Sequence, residues 1–307
     1  MKEKIRCSIG LIQSEDSKEL YIERIKEPYL GCYEFPGGKI QTDETPESAI
    51  IRELNEELGI QVKKLSFIGK VFHDYPEFTV ILHVFFINNY SGEIKNTTRN
   101  LCYRRSCELN KDFKTIASCL KVLKLCLLLP QIKILDCEKN LFKESCLSSI
   151  KKIDTSFKMI RFRNLETAEN LQINNIKYFT KENPYNYIID HPSEKSFDGK
   201  FSGIHFKSKY LYTLKSVPKD MILYSGSCHN FAEVEQANRL ELDYILISPV
   251  QISKHSNQKI LGWEGFERLS LKANMPTYAL GGISHHKSDY KLSLKHGGFG
   301  IAGIKNF

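Results

Sequence analysis

The sequence predicts an α/β protein in two parts: a mixed sheet covered by helices over residues 1–130, then a compact (β/α)8 barrel over residues 131–307. Three observations carry this expectation. At 307 residues the chain is about twice the length of a typical domain. Before Pro130 long β-rich runs are mixed with helical periodicity, whereas after it short aliphatic strands alternate with helical stretches. Hydrophobic content of 41% and charged content of 26% are those of an ordinary globular protein, so each part can bury a core.

Residues 5–12 and 19–24 read as strands joined by the polar turn at 14–18, and residues 78–87 as a long strand. Between them residues 46–58 read as a helix. Thr45 is its cap, Pro46 suits its first turn, and Gly59 closes it in the left-handed conformation. At about 100° per residue, Ile50, Ile51, Leu54 and Leu58 share an arc that anchors the helix, while Glu53, Glu56 and Glu57 share a neighbouring one. A second helix is expected over residues 113–129. Beyond Pro130, strands are expected at 133–135, 159–162, 187–189, 203–206, 221–225, 244–248, 277–280 and 300–304, the eight that a barrel requires.

Several classes are excluded by composition. Residues 1–12 hold no apolar stretch of signal-peptide length. The most apolar run, 121–129, is interrupted by Lys124 and ended by Pro130, too short for a bilayer. Nine cysteines without a C-x-x-C pair or zinc spacing point to reduced thiols, so a cytoplasmic chain with no membrane partner is expected. Residues 104–163 carry fourteen Lys/Arg against six Asp/Glu, a surplus equal to the net charge of +8. That field would draw polyphosphates, but no base-stacking or groove-reading motif accompanies it, and direct binding to nucleic acid is not expected.

Three glutamates on one helical face repel one another unless a cation joins them. Mg²⁺ takes oxygen ligands and bridges carboxylates to substrate phosphates, so the array suits Mg²⁺, with Mn²⁺ as its substitute. A solvated acidic face is the alternative for such a run standing alone. Here it does not stand alone: from Gly38 to Ile60 the chain matches G-x5-E-x7-R-E-U-x-E-E-x-G-U, with U aliphatic, at Gly38, Glu44, Arg52, Glu53, Leu54, Glu56, Glu57, Gly59 and Ile60. This window resembles the signature of the Nudix hydrolases.

The resemblance implies an α/β/α sandwich and hydrolysis of a nucleoside triphosphate to a monophosphate and pyrophosphate. It implies that the carbonyl of Gly37 or Gly38 and the carboxylates of Glu53, Glu56 and Glu57 hold the metal beside a glycine turn. Arg52 would brace Glu53 and Glu44 would support the loop before the helix. Glu34-Phe35-Pro36-Gly37-Gly38-Lys39, Glu44-Thr45-Pro46-Glu47 and Arg24 are similar to the MutT group, which removes 8-oxo-dGTP from the nucleotide pool and so serves DNA replication and repair. In that likeness Glu34 belongs to the substrate site, Arg24 contacts the nucleotide and Phe35 packs on the purine; Phe35 as a plain core aromatic is an equal reading. Two departures stand out. Thr97 fills the place of a glutamate of that group, and Ala117 that of a base-reading asparagine.

Residues 131–307 resemble the thiamine phosphate synthase and TenI-type barrels through Gly203-Ile-His-Phe206, Ser225-Gly-Ser-Cys-His-Asn230, residues 243–250, Ala279-Leu-Gly-Gly-Ile283 and residues 298–304. The likeness implies a phosphorylated small molecule held by the loops at Gly281, Gly282 and Gly303. His229 is the candidate acid or base, with a hydrogen-bonded structural histidine as the other reading. Leu165 stands where the synthases carry a lysine, and Lys209-Tyr210 where they carry an acidic metal ligand. Three functions are thereby expected in order: a MutT-type pyrophosphohydrolase, a thiamine-pathway transferase or tautomerase in the barrel, and a phosphate-ligand-binding protein whose sites have decayed.

Overall fold

The computed structural model describes residues 2–95, 99–105, 113–137, 158–165, 173–174, 176–177, 187–191, 200–252 and 259–304. The chain divides into two compact units, Met1–Cys126 and Leu127–Phe307. Within the basic stretch, residues 106–112 and 138–157 lie outside the described residues, as does Thr97.

The first unit runs β1 (Glu3–Leu11), β2 (Glu19–Glu23), β3 (Tyr33–Glu34), β4 (Gly37–Lys39), α1 (Pro46–Leu58), β5 (Gln61–Asp74), β6 (Phe78–Ser91), β7 (Leu101–Arg104) and α2 (Ala117–Cys126). Two sheets form, ordered β4-β1-β6-β5 and β3-β2-β7, with β1 and β6 parallel and the other pairs antiparallel. Strand alternation divides β1 between two tasks. Ser8 and Gly10 face α1, where the Ser8 hydroxyl donates to the Pro46 carbonyl at 2.8 Å and a Cβ on Gly10 would press on Ile50 and Leu54. Ile5, Cys7 and Ile9 point the other way and line a cavity, to which α2 contributes Ser118, Cys119 and Val122.

Helix α1 begins in a reciprocal capping box: Thr45 accepts from the Ser48 N–H at 3.1 Å, and Ser48 accepts from the Thr45 N–H at 3.0 Å. Gly59 ends the helix at φ 71°. The core beneath α1 is Ile50, Leu54 and Leu58 with Leu20, Ile22 and Phe85. Three expectations are corrected here. Ile51 is 41% exposed, because the buried stripe runs through Ala49 and Ile50 instead. The helix expected over 113–129 covers only Ala117–Cys126: the Lys114 carbonyl and Ile116 N–H bond to Tyr33, which holds that segment in a bridge alongside β3. The glycine turn is a short edge strand, with Gly37 opposite Ile9 and Gly38 opposite Ser8.

The second unit carries β8 (Gln131–Asp136), β9 (Lys158–Arg163), β10 (Tyr187–Asp190), β11 (Gly203–Phe206), α3 (Ser208–Leu211), β12 (Leu223–Cys228), α4 (Phe231–Arg239), β13 (Tyr244–Ile247), α5 (Gly262–Ser270), β14 (Thr277–Ala279), α6 (Lys287–Lys295) and β15 (Gly300–Gly303). Its eight strands are all parallel and close in sequence order, β15 pairing with β8. The expected barrel is therefore present. Its interior is partly polar: Arg161 grips Asp190 through two bonds of 2.7 and 3.0 Å, and both are buried. Beside that pair the ring nitrogens of buried His205 meet the hydroxyls of Ser225 and Ser227 at 2.9 and 2.8 Å. Among the described residues no helix is long and apolar enough to cross a membrane.

Candidate active site

The periodicity of α1 places Glu53 and Glu57 one turn apart, and both reach the edge strand β4. The Glu57 carboxylate accepts from the Gly37 N–H at 2.9 Å. A Cβ on Gly38 would collide with the Glu53 carboxylate, so the absent side chain is what lets that group lie against the strand. Gly37 has φ 141°, and a Cβ there would run into the Ser8 carbonyl. Both glycines are therefore tied to the local geometry, one by backbone and one by the acid it faces.

Arg52 organises the outer part of the site. It takes both oxygens of Glu44 at 2.9 Å, one oxygen of Glu53 at 2.8 Å and one of Glu56 at 3.3 Å. Glu44 also accepts from the Gln41 N–H at 3.0 Å, which pins the loop before α1, and Arg52 holds the Glu44 carboxyl below its usual range. Glu53 and Glu57 side chains are each 16% exposed, but that of Glu56 is 58% exposed and turned towards Arg52. The structure thus brings two of the three expected glutamates to β4 and leaves the third at the rim.

A second arginine was not anticipated from the sequence. Arg99 donates to Glu57 through one guanidinium nitrogen, to Glu34 through the other at 2.8 Å, and to the Glu23 carbonyl through Nε at 2.7 Å. Glu34 in turn receives Arg24 at 2.7 Å, and Arg24 donates to the Pro28 carbonyl at 3.0 Å. A chain of alternating charge, Arg24–Glu34–Arg99–Glu57, therefore ends on the Gly37 N–H. Burial pushes the Glu57 carboxyl up to about 7 against the pull of Arg99 and the Gly37 N–H, with Glu53 and Glu34 adding to the rise.

The Arg24–Glu34 end of this charge chain borders the cavity, about 200 Å³, which Arg24, Glu34, Gly37, Gly38 and Lys39 line on one side. Its apolar walls include Phe35, Tyr29, Tyr75 and Phe78. Phe35 is buried and packs on Tyr21 with ring centroids 4.7 Å apart, so it is a core aromatic that also borders the cavity. At the position of the missing asparagine the next residue, Ser118, lines the cavity and is engaged by the Tyr75 hydroxyl at 3.0 Å. The cavity thiols are apolar wall: burial raises Cys7 to about 11 and pushes Cys119 up as well. Apolar and aromatic walls with polar groups on one side suit the ring end of a ligand whose other end is charged.

The donor set also fits a hard divalent cation. Glu53, Glu57 and the Gly37 and Gly38 carbonyls offer only oxygen, and a carboxyl pushed up by burial is one that a cation would stabilise. Among the described residues no three carboxylate, histidine or cysteine groups already converge on one point. Arg52 and Arg99 hold the carboxylates instead.

In the barrel, Gly281 and Gly282 follow β14 with φ 93° and 71°, and side chains at either would strike Pro249 or the Gln251–Ile252 segment. Gly303 is buried as the last residue of β15. His229 accepts no free role at Nδ1, which donates to the Ser248 carbonyl at 2.6 Å and so fixes the tautomer. Leu165 is 2% exposed within the apolar cluster around Phe162 and Tyr187. Lys209 lies 4.8 Å over the Tyr210 ring, and Lys207 donates to Asn164 at 2.8 Å.

Comparison with known proteins agrees with this division. Residues 5–109 match the NUDIX domain and residues 138–307 the thiamine monophosphate synthase family. The 8-oxo-dGTP diphosphatase of Proteus vulgaris is 35% identical over 94 residues, 30% of this chain and 84% of its own length. That of Escherichia coli is 33% identical over 91 residues, 29% of this chain and 70% of its own. The ADP-ribose pyrophosphatase of Methanocaldococcus jannaschii is 38% identical over 88 residues, 28% of this chain and 52% of its own. With the glutamates of α1 set against the glycines of β4 and eight parallel strands closing the second unit, the chain belongs to the Nudix hydrolases through its first unit and to the thiamine monophosphate synthase family through its second.

Proposed function

We propose that the first unit is a divalent-cation-dependent pyrophosphohydrolase that converts a nucleoside triphosphate, 8-oxo-dGTP foremost, into the monophosphate and pyrophosphate. The observation that carries this reading is the meeting of Glu53 and Glu57 with the Gly37–Gly38 strand, whose glycines line an aromatic-walled cavity. The substrate assignment follows the activity of the Proteus and Escherichia relatives, both 8-oxo-dGTP diphosphatases.

Glu53, Glu57 and a carbonyl of Gly37 or Gly38 would hold Mg²⁺, with Glu56 joining from the rim. The bound cation supplies charge neutralisation at the phosphoryl oxygens and a more acidic water. Arg52 keeps the Glu53 carboxylate oriented and Glu44 keeps Arg52 in place. Arg24 and Lys39, on the cavity wall, favour an anionic substrate, while Phe35 and its aromatic neighbours receive the base. Base selection in this chain rests on a wall that includes Ser118, since Ala117 offers no amide for bidentate reading.

The barrel supports a second, separate reading as a binder of a phosphorylated small molecule. Its Gly281–Gly282 loop follows a strand's C-terminal end with both glycines at positive φ, the place where loops of such barrels hold a phosphate. Buried Leu165 and the Lys209–Tyr210 contact leave it without the lysine and acid that synthase chemistry calls for.

Pyrophosphate release should be measured with 8-oxo-dGTP, dGTP, other nucleoside triphosphates, ADP-ribose and thiamine diphosphate. Turnover is expected to be fastest with 8-oxo-dGTP and to fall on the order of a hundredfold or more in Glu57→Gln. Equal rates for wild type and Glu57→Gln would refute the site, and preference for ADP-ribose would refute the substrate.

A further inference from the structure

Arg99 fills a place in the site that the glutamate signature does not explain. It belongs to the segment entering β7, pinned where the Glu23 N–H donates to the Asn100 carbonyl at 2.9 Å and Arg99 Nε donates to the Glu23 carbonyl at 2.7 Å. From there its planar head spans Glu57 on α1 and Glu34 on β3. The side chains of Arg99, Glu57 and Glu34 are 14%, 16% and 18% exposed, so all three charges are largely removed from water. One Glu57 oxygen is spent on Arg99 and the other on the Gly37 N–H.

The chain Arg24–Glu34–Arg99–Glu57 is electrically balanced: two cations against two anions. A divalent ion arriving at Glu57 would add two positive charges beside a guanidinium already in contact with that carboxylate. At such separations in a partly buried site, like charges repel strongly. A nucleoside triphosphate reverses the balance, since its phosphates bring several negative charges with the geometry that guanidinium prefers.

We propose that Arg99 is a tethered cation that competes with the divalent metal for Glu57 and is drawn onto the substrate phosphates when metal and nucleotide enter together. It thereby acts as a positioning residue that keeps the ligand-free site metal-poor and makes metal loading depend on substrate. The inference rests on the proposal that Glu57 is a metal ligand, and its test separates the two.

The test is Mn²⁺ binding to the ligand-free full chain, read from the free-ion signal in electron paramagnetic resonance, for wild type, Arg99→Gln, Arg99→Lys and Glu57→Gln. A charge-assisted bond of this kind is worth roughly tenfold in an equilibrium, so Arg99→Gln should bind Mn²⁺ roughly tenfold more tightly than wild type. Arg99→Lys, a point charge that cannot bridge both glutamates, should fall between them. A non-hydrolysable triphosphate should tighten Mn²⁺ binding more in wild type than in Arg99→Gln. Unchanged or weaker Mn²⁺ binding in both Arg99 variants, with binding lost in Glu57→Gln, would overturn the competition and leave the metal site standing. Mn²⁺ binding unaffected by Glu57→Gln would overturn both. Should Arg99→Gln not fold, Arg99→Lys alone decides between tighter and unchanged binding.

Discussion

Gly37 and Gly38 are neighbours with different obligations, and substitution separates them. Gly38 does not need an unusual backbone; its missing Cβ is the space in which the Glu53 carboxylate lies. Gly38→Ala therefore displaces the end of a flexible side chain, which costs little stability but moves a ligand-bearing group. A misplacement of about 1 Å at such a group costs on the order of a hundredfold in rate, so turnover should fall by that order while the melting temperature stays within a degree or two. Gly37→Ala forces a side chain at φ 141° into the Ser8 carbonyl and should destabilise the fold by about 1–3 kcal/mol. Equal loss of stability in both variants would refute the distinction. The glutamates of this site were legible in the sequence because their helical spacing is local, and the glycines because they belong to the segment that resembles the Nudix signature. Arg99 was not: it meets Glu57 across 42 residues and Glu34 across 65, and no periodicity connects positions that far apart.

Helix α1 was readable almost entire, from the Thr45 cap to the left-handed Gly59, because each signal lies within a turn of the end it marks. Its buried stripe was misread by one residue. Ile50 is fully buried against Leu54 and Phe85, whereas Ile51 faces outward. Ile50→Ala should cost about 2–5 kcal/mol by leaving a cavity, and Ile51→Ala less than about 0.5 kcal/mol. Denaturant midpoints of the two variants check this; comparable losses would mean that the stripe runs through both isoleucines. Strands β5 and β7 escaped the sequence reading for a related reason. Both lie at sheet edges, and β5 keeps much of its length exposed, so Gln61–Asp74 lacks the apolar run that marked β6 at the centre. The helix over-extended to 113–129 shows the reverse error, where apolar residues outside α2 serve the bridge to Tyr33 and the approach to β8.

The barrel was legible as an architecture because eight short aliphatic runs are its whole signature, yet its polar interior left no trace in that pattern. His205 shows the consequence for the protein's stability. Its ring is wholly buried between Ser225 and Ser227, and burial, with Arg161 and Lys207 nearby, pushes its pKa well below 6.5. A histidine with a depressed pKa stays neutral in the folded state, while the unfolded chain takes up a proton as the pH falls through about 6.5. The unfolded state then binds more protons, so stability is full above that pH and declines below it, by at most about 1.4 kcal/mol per pH unit for this one group. Trp263, the sole tryptophan, lies in α5 of the second unit, and its fluorescence reports unfolding of the barrel. Its indole stacks on His296 at 5.7 Å, so the comparison must use unfolding midpoints, not intensities. Between pH 7.5 and 5.0 the wild type should lose more stability than His205→Asn, even though the variant begins less stable through its altered contacts with the serines. An identical pH dependence in the two proteins would mean that His205 takes up its proton without opening the barrel.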